Sequence, residues 1–233
     1  MIEVRGLTKS FGGVVALRGI DLDVAAGQFL TIFGPNGAGK TTFIRILAML
    51  SRATAGYVRI EGLNLTEGAI DIRRRIGLIP HNPLLYGDLT PEENLRFYGK
   101  MYDVPDLEER IETVLGQVGL AHRRHDPVRT FSRGMQQRLS IARAILHNPS
   151  IMLLDEPYTG LDQHAARVLE EILETVGTGS RTVVMTTHNL ERGLAMCDRV
   201  AILVDGQILY QADRSDLDVS SLQKIYDQHV SVM

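Results

Sequence analysis

The stretch FGPNGAGKTT, residues 33–42, has the spacing G-x-x-x-x-G-K-S/T of a loop that binds phosphate groups. It follows an apolar, strand-like run and precedes FIRILAML, a helix-like run. Glycines let backbone N–H groups turn toward a phosphate, and the start of a helix adds its positive dipole end. The lysine can neutralise β- and γ-phosphate oxygens, and the next threonine can offer its hydroxyl to Mg²⁺. The predicted phosphate-binding residues are Gly34, Asn36, Gly37, Ala38, Gly39, Lys40, Thr41 and Thr42; Lys40 is also a predicted catalytic residue and Thr41 a predicted metal ligand.

Two further apolar runs end in residues that could act on a bound triphosphate. IMLLD ends at Asp155 and is followed by Glu156, and RTVVMTTH ends at His188. The carboxyl ends of parallel strands meet at one edge of a sheet, which is where open α/β sheets bind ligands. We therefore predict that Asp155 holds Mg²⁺ through water, that Glu156 polarises an attacking water and that His188 reaches the γ-phosphate.

A second helix start that could accept an anion lies far along the chain, in FSRGMQQR, residues 131–138. Ser132 is a good N-cap residue whose hydroxyl could instead face an anion, and Gly134 allows a close backbone approach. Apolar residues then recur at helical spacing at Met135, Leu139, Ala142 and Ile145. This pattern predicts a helix with one packed face, while residues 136–138 point elsewhere.

The remaining pattern predicts an α/β fold built on a parallel core sheet. GQFLTIF, IMLLD and RTVVMTTH are short apolar runs, typical of strands that are covered on both faces. The N-terminal runs alternate apolar and polar residues, which predicts a small antiparallel β layer. Residues from about 91 to 147 read as helical, and VAILVDGQILY reads as a hairpin that turns at Asp205 and Gly206.

Composition is that of an ordinary soluble protein, with 233 residues, 44% hydrophobic content and a net charge of −3. The charge gives no support to general binding of nucleic acid backbone. No apolar run approaches the ~18 residues of a membrane span, and Met1 leads directly into a strand-like segment without a signal region. We therefore expect a cytoplasmic protein. The lone Cys197 is expected to be a small buried apolar residue.

Together these motifs resemble the ATP-binding subunit of an ABC transporter. GPNGAGKTT resembles the family's Walker A motif, IMLLDE its Walker B motif, TGLD at residues 159–162 its D-loop, and His188 its switch histidine. FSRGMQQR stands where the family signature LSGGQQQR would be. The resemblance extends from about Ile2 to Gln211 and implies a P-loop NTPase of the ABC ATPase type, with a helical subdomain.

The resemblance also implies partners and further site residues. In this family two nucleotide-binding domains meet head to tail, so that Ser132 and Gly134 of one copy would cap the γ-phosphate bound by the other, with Asp162 nearby. Phe11 corresponds to the aromatic residue that stacks on adenine. ATP and Mg²⁺ would be bound, and a second copy and a membrane-spanning permease subunit would be the partners, at the inner face of the cell membrane. Nucleic acid is not an expected partner.

The implied domain organisation is an ABC ATPase domain over residues 1–213, with the helical subdomain inserted at about 82–148 and a short extension at 214–233. LLYGDLTPEENLRFYGKMYDV resembles the lobe that docks onto the membrane subunit, and Thr90 is expected to cap a helix there through its T-P-E-E start.

Three positions depart from the family pattern. Arg133 replaces a signature glycine, and Met135 replaces a glutamine, which removes a capping box. Arg133 could add charge near the nucleotide or point to solvent, and we favour solvent. His81, in IPHNP, stands where glutamine is usual; imidazole suits the hard Mg²⁺ ion poorly, so His81 is a doubtful metal ligand.

The motif details most resemble ATPases of the haem exporter used in cytochrome c maturation, and exporters of drugs, lipids or polysaccharides share much of the pattern. The alternative of another class is a soluble ABC ATPase that acts on nucleic acid or ribosomes. Those proteins split the Walker motifs or carry two cassettes, whereas this chain has one uninterrupted cassette. A P-loop kinase or GTPase would leave FSRGMQQR without a role, and no N-K-x-D motif is present.

Overall fold

The computed structural model describes residues 1–65, 69–161, 163–177 and 181–230. Its central sheet has the strand order β10-β9-β3-β8-β7-β6, in which β9 through β6 are parallel and β10 is antiparallel at one edge. The strands are β3 (Phe29–Phe33), β6 (Ile76–Ile79), β7 (Ile151–Asp155), β8 (Thr182–Thr187), β9 (Arg199–Val204) and β10 (Gln207–Asp213).

Both faces of this sheet are covered, as the continuous apolar runs predict. Along β3, Phe29 and Phe33 pack into one hydrophobic cluster, while Leu30 and Ile32 pack into the cluster on the opposite face. The same alternation holds along β7. A strand buried on both sides gains free energy from every apolar side chain, roughly 1.5–3 kcal/mol for each large one. This burial fixes the sheet that carries the candidate site.

A separate antiparallel sheet covers one face and confirms the predicted β layer. Its order is β2-β1-β4-β5, with β1 (Ile2–Phe11), β2 (Val14–Val24), β4 (Ala55–Ile60) and β5 (Leu63–Asn64). Its inward residues, such as Val4, Leu22 and Val58, join the cluster that also contains the first helix.

Helices complete both layers. They are α1 (Lys40–Leu47), α2 (Ala69–Arg75), α3 (Pro91–Met101), α4 (Leu107–Gln117), α5 (Arg133–Ile145), α6 (Gln163–Gly177), α7 (Leu190–Met196) and α8 (Val219–Val230). The chain between β6 and β7 contributes α3, α4 and α5, whose buried residues share the cluster on the second face of the sheet. Within the described ranges, no helix has both the length and the apolar character needed to cross a bilayer.

Several elements were not predicted: the helices α2, α6, α7 and α8 and the strand β6. The short strand β6 adds an edge to the parallel sheet beside β7, and α8 packs its buried Leu222 against the core.

The predicted hairpin is confirmed: β9 and β10 pair around Asp205 and Gly206, which have φ of 48° and 77°. The prediction for Cys197 is also confirmed, since the thiol is buried and burial raises its pKa to about 11.

The start of α3 shows the predicted cap and, beside it, a charge network. The Thr90 hydroxyl accepts from the Glu93 N–H, and the Glu93 carboxylate accepts from the Thr90 N–H. Glu92 is the residue before Glu93, and its carboxylate accepts hydrogen bonds from the guanidinium groups of Arg96 and Arg124. These two donors lower the pKa of Glu92 to about 2, with the Arg124 hydrogen bond as the largest cause.

We predict that Glu92→Gln lowers the free energy of unfolding by about 1–3 kcal/mol at pH 7, because Arg124 loses its charged acceptor and Arg96 keeps only Glu108. The pKa of Glu92 is about 2 in the folded chain against an ordinary value of 4.5. The stabilisation is therefore complete above pH 4.5 and is lost as the pH falls toward 2. Urea denaturation of the variant and the unmodified chain, at several pH values from 7 to 2.5, measures this convergence.

Asp88→Asn is the matched control, because Asp88 pairs with Arg129 at a side chain that is 90% exposed. An exposed pair contributes little, roughly 0–1 kcal/mol. A Glu92→Gln deficit that stays constant across the pH range would contradict the assigned network.

Candidate functional site

The glycine-rich loop between β3 and α1 is held by close backbone contacts. A Cβ at Gly34 would lie 2.2 Å from the Leu203 carbonyl oxygen of β9, so only glycine fits there. Gly39 has a φ of 105°, and a Cβ on it would lie 2.6 Å from the Ala16 carbonyl oxygen. The loop is thus pressed between β9 and β2, which fixes the direction of its N–H groups.

The β9–β10 turn braces the same loop. The Gly206 N–H donates to the Ala38 carbonyl at 3.0 Å, and the Gly206 carbonyl accepts from the Arg18 N–H at 2.8 Å. The loop borders a cleft of about 310 Å³, lined by residues 35–42 together with Ala16, His81 and Glu156. The cleft is therefore lined by the residues predicted in the phosphate loop other than Gly34, and by the doubtful ligand His81.

Lys40 lies at the base of this cleft with its side chain buried. Its ammonium donates to the carbonyls of Gly34 at 2.7 Å and Pro35 at 3.1 Å. Its Nζ is also 3.3 Å from the Glu156 Oε1 atom. A buried cation that is held on three sides is pre-positioned to meet phosphate oxygens without loss of side-chain freedom.

Asp155, at the end of β7, is 3% exposed and accepts two hydroxyl hydrogen bonds on Oδ1. One comes from Thr41 of α1 at 3.1 Å, and the other comes from Thr186 of β8 at 2.9 Å. The structure thus brings both predicted Mg²⁺ ligands within contact of each other. Hydroxyl and carboxylate oxygens are hard donors that suit this ion.

Glu156 turns sharply out of the sheet, with a φ of 50°, and its N–H donates to the Thr186 carbonyl at 3.0 Å. Its two carboxylate oxygens have different neighbours: Oε1 faces Lys40, and Oε2 lies 2.9 Å from the His188 Nδ1 atom. His188 follows β8, and its side chain is 61% exposed. Three predicted catalytic residues are therefore in direct contact at one sheet edge.

The second predicted anion site is separate from this cleft. Ser132 is the N-cap of α5, and its hydroxyl accepts from the Met135 N–H at 3.3 Å. Ser132 is exposed, and neither it nor the half-buried Gly134 borders the cleft in the part of the chain that the structure describes. Within one chain, the start of α5 and the phosphate loop therefore do not form one site.

The prediction that residues 136–138 point away from the packed face is wrong for Gln137. This side chain is 4% exposed, and its amide Nε2 approaches the Pro157 carbonyl at 3.5 Å, beside the Glu156 turn. The chain after β7 places the Pro157 carbonyl beside the Gln137 amide. A hydrogen-bond acceptor at this position makes burial of the amide favourable. Arg133 is exposed, as expected for a residue at the surface, but its side chain lies against Gly160 rather than extending freely into solvent.

Two other predicted residues have distinct environments. Phe11, at the end of β1, is 51% exposed and lies beside the Lys9 ammonium, which is 4.6 Å from the ring centroid. It is thus available for stacking and is not a core aromatic. Asp162 lies outside the described residues.

Thr186 is a site residue that sequence reasoning missed. It is fully buried in β8 and pairs with Asp155 in the parallel register. The available signal was the pair of hydroxyl residues, Thr186 and Thr187, that follows the apolar run VVM and precedes His188.

Comparison with known proteins places this geometry in a family. The model of the ABC transporter family matches residues 17–159. The linearmycin resistance ATP-binding protein LnrL of Bacillus subtilis is 32% identical over 219 residues, which are 93% of this chain and 70% of that protein. A fluoroquinolones export ATP-binding protein of Mycobacterium tuberculosis is 35% identical over 222 residues, 94% of this chain and 73% of that protein.

Solved structures agree with these sequence relatives. An ATP-binding subunit of an ABC transporter is 29% identical and superposes with a TM-score of 0.89, covering 98% of both chains. A dimeric ATP-binding cassette in a post-hydrolysis state, bound to ADP and Pi, is 27% identical with a TM-score of 0.84, covering 92% of this chain and 99% of that chain. Since the family model spans more than half of the chain and these relatives match nearly all of it, the chain belongs to the ABC transporter family, as an ATP-binding and ATP-hydrolysing subunit.

Proposed function

We propose that two copies of this chain close head to tail around ATP and that this closure drives a membrane exporter. The observation that carries the proposal is the separation of the two anion sites: the phosphate cleft and the start of α5 are both built, yet they do not meet within one chain. A second copy can bring them together. The related cassette solved as a dimer with ADP and Pi supports this arrangement.

Each side chain then has a role in phosphoryl transfer. Lys40 neutralises β- and γ-phosphate oxygens, and Glu156 orients a water for in-line attack on the γ-phosphate. His188, in contact with Glu156, reaches the same phosphate. Ser132 and Gly134 of the second copy cap it, since the hydroxyl and the helix start both favour an anion. Phe11 stacks on adenine, and Asp162 contributes near the interface.

The residues present fit Mg²⁺. Thr41 would hold the ion directly and Asp155 would hold it through water, which continues the contact that their oxygens already make. When bound, the ion neutralises charge that develops on the phosphate oxygens. Because an imidazole nitrogen suits this ion poorly, His81 at the rim of the cleft is better suited to sensing the nucleotide than to binding metal.

A membrane-spanning permease subunit would dock in a groove of about 280 Å³ between the end of α1, β6 and α3. Apolar side chains are exposed at this groove, with Leu50 50% and Leu84 45% exposed. Tyr98 and Tyr102 also border it, and burial lowers the pKa of His147 to about 4, so this ring is neutral at physiological pH. An exposed apolar groove is typical of a protein interface. Docking there would place the chain at the inner face of the cell membrane.

Export is the direction that the related proteins support. Those with informative names include proteins for linearmycin resistance, Nod factor export and fluoroquinolones export. A drug or lipid-like cargo therefore has more support than haem. The haem alternative rests on the motif resemblance alone. An acidic net charge of −3 does not favour the alternative of an ATPase that acts on nucleic acid or ribosomes.

We predict that Glu156→Gln lowers ATP turnover by about 10²–10⁴-fold, because an amide cannot polarise the attacking water. ATP binding should persist, so that the variant accumulates as an ATP-bound dimer. Steady-state phosphate release and size-exclusion chromatography with ATP measure the two effects. Glu171→Gln, at an exposed glutamate of α6, is the control and should behave like the unmodified chain.

Ser132→Arg completes this test, since it should block hydrolysis and dimer formation while ATP still binds to the monomer. Full turnover in Glu156→Gln would reject the assigned base. Loss of monomer binding in Ser132→Arg would instead place the start of α5 within its own nucleotide site.

We predict that Leu84→Glu prevents association with the permease, because it replaces an exposed apolar contact of the groove, which Arg73 and Arg143 also line, with a charge that docking would have to desolvate. Leu209→Glu is the matched control: Leu209 lies on β10 and has the same 45% exposure. Affinity purification from detergent-solubilised membranes should recover a polytopic membrane protein with the control and lose it with Leu84→Glu. Equal recovery with both variants would show that the groove is not the docking surface.

We predict that Thr186→Val raises the Mg²⁺ concentration needed for half-maximal ATPase activity several-fold, because Asp155 loses one of the two hydroxyl donors that orient it. The free energy of unfolding should fall by about 1–3 kcal/mol, the usual effect of removing one partner of a buried hydrogen bond. Mg²⁺ titration of the ATPase rate and urea denaturation measure these effects. Thr186→Ser keeps the hydroxyl and should restore both values; a Ser variant as impaired as Val would show that the methyl group, and not the hydrogen bond, matters.

A further inference from the structure

The side chain of Arg133 lies against the loop that carries Glu156. A Cβ at Gly160 would be 2.6 Å from the Arg133 Nε atom and 2.8 Å from its Cδ atom. The stem and the inner part of the guanidinium group therefore occupy the space that a side chain at position 160 would need. Arg133 stands where the related signature has glycine, so this contact belongs to a position that departs from the family pattern.

A second contact joins the same helix face to the same loop. Gln137 is one turn after Arg133, at the i,i+4 position, so the two side chains share a face of α5. Gln137 approaches the Pro157 carbonyl, and Arg133 covers Gly160. We name residues 156–161 the Glu156 loop; α5 thus touches it near both ends.

The Glu156 loop is built from turns that start at Glu156 itself. The Thr159 N–H donates to the Glu156 carbonyl at 3.0 Å, and the Leu161 N–H donates to the Tyr158 carbonyl at 3.2 Å. The two turns overlap at Tyr158 and Thr159, so we expect a shift at Gly160 to reach the backbone of Glu156 through them.

The other side of the Glu156 loop rests on α7. The Tyr158 hydroxyl contacts the Met196 sulfur at 2.9 Å, and the Arg192 guanidinium lies 5.1 Å from the centre of the Tyr158 ring. The loop is therefore held between α7 and α5, and on the α5 side the exposed contact is that of Arg133. Removing it would leave Gln137 as the remaining described contact on the α5 side and would leave the α7 side in place.

Charge does not explain where this side chain lies. A cation in the first turn of a helix opposes the positive end of the helix dipole. Arginine nevertheless gains free energy when its stem and planar head lie on a flat surface, and the bare backbone of a glycine provides one. Contact, and not attraction to the helix, fixes the position of Arg133.

We propose that Arg133 is a positioning residue that holds the Glu156 loop against the start of α5. The helix start that caps the partner copy's nucleotide and the glutamate that acts on the chain's own nucleotide then move as one unit. This inference rests on the proposed head-to-tail dimer. Seating of Ser132 on one nucleotide would thereby orient Glu156 at the other.

The test compares Arg133→Ala, which removes the contact, with Arg133→Met, which keeps an apolar stem over Gly160 and removes the charge. The ATP turnover number kcat should fall about tenfold with Ala, the effect of a displaced catalytic group, and KM for ATP should stay within about twofold. The Met variant should keep at least about half of the kcat of the unmodified chain. Arg167→Ala, at an exposed arginine of α6, is the control and should leave kcat unchanged.

Arg133→Met and Arg133→Lys together separate contact from charge at the nucleotide. If Arg133 acted on a phosphate, Lys would restore activity, Met would be as poor as Ala, and KM would rise. That pattern would overturn the inference, as would an Ala variant with unchanged kcat.

Amide hydrogen exchange provides a readout that does not need the dimer. In the nucleotide-free chain, the N–H groups of Thr159 and Leu161 should exchange faster in Arg133→Ala than in Arg133→Met, with no change at Thr186. Unchanged exchange in the Ala variant would overturn the inference. If the unmodified chain formed no ATP-dependent dimer, the proposed function would fail, while the exchange data would still decide whether Arg133 holds the loop.

Discussion

Burial of the Asp155 carboxylate is the constraint on which the site depends. A carboxylate that is 3% exposed is costly unless hydrogen bonds satisfy it, and Asp155 meets this need through hydroxyls from two other elements, Thr41 of α1 and Thr186 of β8. The parallel register sets Asp155 opposite Thr186. The phosphate loop, whose helix carries Thr41, must therefore meet the ends of β7 and β8, and Lys40, Glu156 and His188 come together as a consequence.

The fold could be predicted where local pattern and burial agree. Apolar runs such as FLTIF and IMLLD are covered on both faces, and Asp205 and Gly206 adopt the positive φ that their hairpin turn requires. The strand β6 escaped prediction because four residues, IGLI, carry too short a pattern, and its pairing with β7 crosses more than 70 residues of chain. The helix α8 is stabilised by packing of its buried Leu222, and the sequence of the helix alone does not predict this packing.

Sequence motifs located the phosphate cleft better than they described its internal contacts. The motifs identified Lys40, Glu156 and His188. They did not predict that one carboxylate oxygen of Glu156 lies next to Lys40 and the other next to His188. They missed the burial of Gln137, because a polar residue on a helix is usually solvated and its acceptor, the Pro157 carbonyl, is 20 residues away. Long-range contacts of this kind arise from tertiary packing, and spacing along the chain does not encode them.

The helix α5 connects the parts of the molecule that a transporter must coordinate. Its 13 residues span about 20 Å, from Arg133 beside the Glu156 loop to the groove between α1 and α3. Near its C-terminal end, the buried Arg143 donates to the carbonyls of Leu84 and Leu78, and burial lowers the pKa of this guanidinium. A helix fixed at both ends by such contacts moves as a rigid body. If a permease docks in the groove, as proposed, we expect it to act on the start of α5, where the second nucleotide would be capped.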